Sequence, residues 1–131
     1  MIRVFLSLPM NGRSEDEIQK QISQMILQIR DSELFGNEEI QYIDSRNYKP
    51  LELMSEAREP RLLYLGQAIK KIGCCDVLAL GSGWTNARGC RIERAVADEY
   101  DIPVIQTEFI GTYLQIEGYK DKLRSRINPY L

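Results

Sequence analysis

Residues 76–100 read DVLALGSGWTNARGCRIERAVADEY, and they predict a strand, a turn and a helix in succession. The apolar run Val77–Leu80 is typical of a strand that is buried on both faces of a sheet. The glycine-rich segment that follows predicts a tight turn. A buried strand that leads through a turn into a helix is the repeating unit of α/β folds. From about Arg88 onward apolar residues recur at helical spacing, and those expected to face the core are Ile92, Ala95 or Val96, and Tyr100.

The rest of the chain continues this alternation of strands and helices. Three more segments have strand patterns, at residues 2–8, 39–44 and 102–107. Helical patterns lie between strands, and the first of them begins with a capping box. No repeat, low-complexity segment or linker interrupts the pattern. The sequence therefore predicts one α/β domain over residues 1–131, with a mostly parallel sheet of about four to five strands and helices on both faces.

Composition excludes several classes of function. The 131 residues contain no histidine, so Ser-His-Asp and Cys-His catalysis are excluded and zinc sites of the Cys/His type are not expected. The net charge of −2 is not typical of a protein that binds a nucleic acid polymer or an anionic membrane through its overall charge. Three irregularly spaced cysteines and the lack of a signal-peptide pattern indicate free thiols in the cytoplasm. We expect no cofactor, no metal and no membrane partner.

Two loops are candidates for ligand binding because they follow strands of the predicted sheet. Residues 7–12 follow the first strand and residues 81–89 follow the third, and each leads toward a helix start. Ligands of open α/β sheets bind beyond the carboxyl ends of the strands, and unpaired amides at helix starts favour anions. The second loop is not a dinucleotide fingerprint, since Asn86 takes the place of the third glycine, and it is not a P-loop. A tight turn that lets the helix approach the sheet is the structural alternative.

Trp84 and Glu93 each allow two interpretations. Trp84 could stack on a base or sugar ring, or it could cover the end of the core. Glu93 could be a first-turn carboxylate that interacts favourably with the helix dipole, or it could act in the cleft as a nucleophile or base at a sugar carbon. The neighbouring Arg88 and Arg91 could bind phosphate or form a solvated face. In a chain without histidine, Glu93 is the strongest candidate for a nucleophile.

Two motifs resemble the nucleoside 2-deoxyribosyltransferase-like superfamily, in particular its small phage and bacterial members. VFLSLPMNG at residues 4–12 resembles the superfamily's first strand and loop, and CDVLALGSGWTNARGCRIERAVADEY at residues 75–100 resembles its strand, loop and nucleophile helix. The resemblance covers roughly residues 1–107. It implies a flavodoxin-like three-layer α/β sandwich that assembles into a homodimer or larger homo-oligomer. It also implies a transferase or hydrolase that cleaves the N-glycosidic bond of deoxynucleosides or deoxynucleotides.

The resemblance also implies roles for individual residues. Glu93 stands at the position of the catalytic nucleophile, which attacks the anomeric carbon and forms a covalent glycosyl-enzyme. The residues that resemble those lining the sugar and base are Ser7, Pro9 and Met10. The residues that resemble the loop contacting sugar or phosphate are Gly83, Trp84, Asn86, Arg88 and Gly89.

The chain departs from the superfamily's pattern at two places. Phe5 stands where the enzymes carry a tyrosine that hydrogen-bonds to the nucleophile. No acid lies in residues 65–68, where the enzymes carry an aspartate that helps to protonate the leaving base. Loss of a general acid slows a reaction on the order of 10²–10⁴-fold. The candidate substitutes for this acid are Asp44, Glu56 and Glu59.

Three functions are consistent with these features. The first is binding of a nucleoside or nucleotide, with cleavage or transfer at the N-glycosidic bond by Glu93. The second is non-catalytic binding of a nucleotide or an ADP-ribose-like signal, as a sensor or sponge, which the two departures favour. The third is an assembly subunit with a vestigial cleft, in which residues 108–131, with Tyr113, Tyr119 and Tyr130, form a candidate interface helix.

Overall fold

The computed structural model describes residues 1–46 and 54–110, and within these ranges strands alternate with α-helices. The order is β1 (Ile2–Ser7), α1 (Glu15–Asp31), β2 (Ile40–Asp44), α2 (Pro60–Ile72), β3 (Val77–Leu80), α3 (Arg88–Glu99) and β4 (Val104–Gln106). Single 3₁₀ turns occupy Met54–Glu56, Trp84–Asn86 and Thr107–Phe109. Of the helix predicted in the tail over residues 108–131, the part from residue 111 onward lies outside the described part of the chain. Among the described helices, none combines the length and the apolar character needed to cross a bilayer.

The four described strands form one parallel sheet in the order β2-β1-β3-β4. β1 pairs with β2 on one side, with Leu6 opposite Asp44, and with β3 on the other side, with Ser7 opposite Leu80. This order puts the earliest strand in the interior of the sheet, which is typical of flavodoxin-like doubly wound folds. The predicted α/β fold is confirmed, and the sheet is consistent with a flavodoxin-like three-layer sandwich.

Apolar side chains fill both faces of the sheet, as expected when helices cover each face of parallel strands. β1 alternates between the faces, so that Val4 and Leu6 pack with α1 while Phe5 packs with α2 and α3. Full burial of an aliphatic side chain contributes roughly 1.5–3 kcal/mol. The helix residues buried on the α1 side are Ile18, Ile22, Met25 and Ile29. Those buried on the opposite side are Ala68, Ile72, Cys90 and Ala97.

Helix α1 begins where its sequence predicts, whereas the face of α3 that is buried in the core is not the one that its sequence predicts. The predicted capping box at the start of α1 is present between Ser14 and Glu17. Helix α3 buries Glu93 together with two small side chains, while Tyr100, predicted to be buried, is 74% exposed. The small side chains let α3 pack closely on Phe5 and the sheet, and this contact determines which residues of α3 are buried. The apolar periodicity therefore identifies this helix but not its inward face.

Candidate functional site

The loops after β1 and β3 meet at the carboxyl edge of the sheet. The chain leaves β1 toward α1 on one face and leaves β3 toward α3 on the other. The Gly81 N–H donates to the Ser7 carbonyl oxygen over 2.8 Å. A Cβ on Gly83, whose φ is +85°, would lie 3.3 Å from Pro9 Cγ, so the two loops are in close contact. Such a point of reversal is the usual ligand site of open α/β sheets.

Glu93 lies in the second turn of α3 and is 6% exposed. Its Oε1 accepts a hydrogen bond from Ser7 Oγ over 3.3 Å, whereas its Oε2 is buried and has no hydrogen-bond partner. Burial raises the pKa of Glu93 to about 7, and the hydrogen bond from Ser7 acts in the opposite direction. Burying a polar atom without a partner is unfavourable, and carboxyl groups perturbed in this way concentrate at functional sites. Its burial distinguishes Glu93 from a solvated acid that only interacts with the helix dipole.

A buried thiol lies near the hydroxyl that contacts Glu93. Cys90 is 3% exposed, and it is close enough to Ser7, itself 2% exposed, for the hydroxyl to influence its pKa. Burial raises the pKa of the Cys90 thiol to about 11, although the contact with Ser7 lowers it. The thiol is therefore protonated at neutral pH and is a poor nucleophile. No local pattern in the sequence indicates this contact, because a cysteine on a helix face is most often only a small apolar residue.

Two side chains that the resemblance implies to be polar partners of Glu93 are apolar. Phe5 is fully buried, and Ala68 is 3% exposed. Both belong to the apolar cluster that contains Cys90. The resemblance implies a tyrosine hydroxyl and an aspartate in these two places, and neither Phe5 nor Ala68 has a side chain that can donate a proton.

Two of the three candidate substitutes for the missing acid are paired with arginines, and the third is exposed. Glu59 accepts hydrogen bonds from Arg61 over 2.6 and 2.7 Å, and these bonds lower its pKa to about 2. A carboxylate with that pKa is ionised at neutral pH and cannot serve as a proton donor. Asp44 Oδ1 pairs with Arg46 Nε over 3.0 Å, and Glu56 is exposed.

Trp84 covers the end of the core and is half-buried. Its Nε1 donates to Gln106 Oε1 over 3.3 Å, at the end of β4. The Arg94 guanidinium lies over the indole ring, 4.8 Å from the ring centre, in a cation–π contact. These contacts give Trp84 a structural role of the kind that the sequence offered as one alternative.

The start of α3 has no side-chain cap and has a neighbouring cation. Its N-cap residue, Ala87, provides no side-chain hydrogen bond to the first-turn amides. Arg91 Nη1 donates to the Thr85 carbonyl oxygen over 2.9 Å, which ties the loop to the helix. Arg88 is exposed, and its charge contributes to the lowered pKa of Glu59. An uncapped helix start beside an exposed arginine is chemically suited to a phosphate or carboxylate group.

Two grooves open on the α1 side of the same edge, with volumes of about 340 and 630 Å³. The larger is lined by Pro9 and Gly83, two of the predicted site residues, and also by Arg13 and Gln21, which the sequence did not single out. Arg13 donates to the Pro9 carbonyl oxygen and to Gln21 Oε1, so it supports the first loop. Glu93 lines neither groove.

The structure therefore divides the predicted site residues among different parts of the edge. Ser7 lies against Glu93, and a Cβ on Gly89 would lie 4.0 Å from Glu93 Oε1. Met10 points toward β2, where its Sδ accepts a hydrogen bond from Ser45 over 3.2 Å. Asn86 is exposed. No group of three or more potential metal ligands occurs within residues 1–46 and 54–110.

Comparison with protein families gives one match. The model of a family described as a domain of unknown function (DUF4406) matches residues 38–106, from just before β2 to the end of β4. No curated protein and no solved structure matches the chain. Because the family match spans more than half of the 131 residues, this chain belongs to the DUF4406 family.

Proposed function

We propose that this protein binds a nucleoside or nucleotide and cleaves or transfers its N-glycosidic bond, with Glu93 as the nucleophile. The observation that carries the proposal is a buried carboxyl group with one unpartnered oxygen at the edge where α/β sheets bind ligands. The grouping of DUF4406 with nucleoside 2-deoxyribosyltransferase-like proteins supports it. So do the motifs at residues 4–12 and 75–100, which resemble that superfamily.

The surroundings of Glu93 suit the role of a nucleophile. With a pKa of about 7, roughly half of the carboxyl groups are ionised at neutral pH, and the ionised form is the nucleophile. A carboxylate without strong hydrogen bonds at Oε2 is available to a developing positive charge on the sugar. Because Oε2 is buried, ligand binding must first displace the Glu93 side chain or the groups that cover it.

The ligand's other parts have candidate contacts beside Glu93. The first-turn amides of α3 and the guanidinium of Arg88 are suited to a 5′-phosphate. The loop with Gly83, Asn86 and Gly89 would contact the sugar or phosphate, and the apolar Trp84 ring would border it. The side chains of Pro9 and Met10 would border the base. We propose a homodimer or larger homo-oligomer as the working form, which light scattering measures directly.

The test is release or exchange of the base by purified protein. Wild-type protein is incubated with 2′-deoxynucleosides, ribonucleosides and their 5′-monophosphates, and free base is measured by chromatography. We expect turnover by wild type and by Glu99→Gln, a control at an exposed position on the same helix, and none by Glu93→Gln. Intact-protein mass spectrometry should detect a glycosyl adduct on the peptide that contains Glu93. No base release or exchange across the whole panel would contradict the proposal.

Binding without cleavage is the second candidate function. The apolar side chains of Phe5 and Ala68 favour it, because neither can donate a proton to the leaving base. The ion pair of Glu59 with Arg61 favours it as well, because it keeps Glu59 ionised. Titration calorimetry with nucleotides and ADP-ribose separates the candidates. Binding that is weakened by Arg88→Ala, without any base release, supports a sensor or sponge. Absence of binding at millimolar ligand contradicts it.

A further inference from the structure

β1 directs two consecutive side chains of one face toward α2 and α3. The first, Phe5, is fully buried and has no polar atom. The second, Ser7, lies two residues further along the strand, and its Oγ is 3.3 Å from Glu93 Oε1. The two residues that interact are 86 positions apart in the chain. The strand therefore provides Glu93 with a hydrogen-bond donor, but from a different position than the one where the resemblance implies a phenol.

The charge on Glu93 determines which way the Ser7 hydroxyl points. A hydroxyl has one proton to donate and two lone pairs that accept. An ionised Glu93 can only accept, so Ser7 donates its proton to Glu93 Oε1 over 3.3 Å. The nearby Cys90 thiol retains its own proton at neutral pH, because burial raises its pKa to about 11, and so it does not compete with Glu93 for the proton of Ser7.

We propose that Ser7 is a positioning residue that holds Oε1 of Glu93, so that Oε2 is the oxygen that attacks the sugar. This inference rests on the proposed function and adds to it the identity of the attacking atom. Its geometric basis is the asymmetry of the carboxyl group, in which one oxygen is hydrogen-bonded to a buried hydroxyl and the other has no partner. Ser7 thereby supplies the hydrogen bond that the ring of Phe5 cannot donate.

In the reaction, a lone pair of Glu93 Oε2 forms a bond to the anomeric carbon. The bond between that carbon and the base nitrogen breaks, its electron pair stays on the base, and the base takes a proton from water. In the second step the resulting hydroxide attacks the anomeric carbon, or an acceptor base attacks and gives its N–H proton to that hydroxide, and the bond to Oε2 breaks to regenerate the carboxylate. Ser7 donates to Oε1 throughout. The hydrogen bond keeps the carboxyl group ionised in the first step and makes it a better leaving group in the second.

The first experiment needs no substrate. Protein labelled with ¹³C at glutamate side chains is titrated by NMR, and the Glu93 signal is assigned with Glu93→Gln. We expect Ser7→Ala to raise the pKa of Glu93 by about one unit, since the lost bond stabilises the charged form. Ser7→Thr, which keeps the hydroxyl, should have a Glu93 pKa close to that of wild type. Thr107→Val is the matched control, because Thr107 is as buried as Ser7 but its Oγ1 donates to the Leu80 carbonyl oxygen.

The second experiment measures base release against pH with the same variants. Ser7→Ala should lower kcat at pH 7 on the order of ten-fold and move the acidic limb of the profile upward with the pKa of Glu93, with KM within about two-fold. Thr107→Val should match wild type. If the extra methyl group of Ser7→Thr disturbs packing, the contrast between wild type and Ser7→Ala decides the outcome alone.

The possible failures can be distinguished. Wild-type turnover that is unchanged in Ser7→Ala overturns the role of Ser7 and leaves Glu93 as the proposed nucleophile. A Ser7→Ala variant whose Glu93 pKa does not move also overturns the inference, because the hydrogen bond then has no effect on the carboxyl group. Absence of turnover by the wild type overturns the proposed function, and the assignment of Oε2 as the attacking atom falls with it, whatever the NMR titration gives.

Discussion

The titration of Glu93 couples the candidate site to the stability of the fold. The pKa of this carboxyl is about 7 in the folded chain, above its ordinary value of 4.5, because the group is buried. Between these two values the folded state binds more protons than the unfolded state does. The free energy of unfolding must therefore fall as the pH rises through this range. A shift of this size corresponds to about 3 kcal/mol, which is a large fraction of the stability of a small domain.

Replacing Glu93 with glutamine should remove this pH dependence. As the pH rises from 4.5 to 8, the free energy of unfolding of Glu93→Gln should increase by roughly 2–3 kcal/mol relative to that of wild type, because an amide has no charged form to bury. Urea unfolding at several pH values measures the difference, with Glu99→Gln as the exposed control. A constant offset between Glu93→Gln and wild type over this range would show that the buried group does not titrate as described.

The sequence located Glu93 but not the groups around it. Its position in a helix after a glycine-rich turn, in a chain without histidine, made it a candidate, and the resemblance of residues 75–100 placed it at the nucleophile position. The contact with Ser7 depends on the register of β1 against β3, and no local pattern encodes the pairing of positions so far apart. The contact of Trp84 with Arg94 follows from α3 geometry, and its hydrogen bond to Gln106 from the β3–β4 pairing. Long-range partners of this kind are fixed by packing.

At the scale of elements, the close approach of α1 to the end of β3 depends on Gly81. A Cβ at this position would lie 2.7 Å from Met25 Sδ, 2.8 Å from Gln21 Nε2 and 3.2 Å from Leu8 Cβ. Met25 is 1% exposed, so its sulfur has little room to move. The structural alternative for the loop was a turn whose glycines let the following helix approach the sheet, whereas the contact at Gly81 is with α1.

Gly81→Ala should therefore destabilise the protein by roughly 1–3 kcal/mol, the usual effect of inserting a methyl group into a packed contact. Gly66→Ala is the matched control, since Gly66 lies inside α2 and a Cβ there meets nothing within 4 Å. We expect that substitution to stabilise by roughly 0.5–1 kcal/mol through helix propensity. Both values come from urea unfolding. Equal effects of the two substitutions would mean that the Gly81 contact is not tight.

At the scale of the whole molecule, the first strand completes the sheet. The DUF4406 match begins at residue 38 and so leaves out β1 and α1. Yet β1 lies between β2 and β3 and is hydrogen-bonded to both. Helix α1 supplies the buried residues of one face of the sheet. The alternation of strands and helices predicted the elements, but the interior position of β1 follows from the pairing of β2 and β3 with its two opposite edges.

A chain that begins at residue 38 should therefore fail to fold by itself. Without residues 1–37, β2 loses the strand it pairs with, β3 becomes an edge, and the α1 side of the core is open to water. Circular dichroism and ¹⁵N NMR should show no cooperative thermal unfolding and narrow dispersion, in contrast to the full chain prepared in parallel. Adding a peptide of residues 1–37 should restore part of the ordered signal, since the missing strand then pairs from outside. A fragment 38–131 that unfolds cooperatively would mean that the residues matched by the family form an independent unit, with β1 and α1 as an attachment to it.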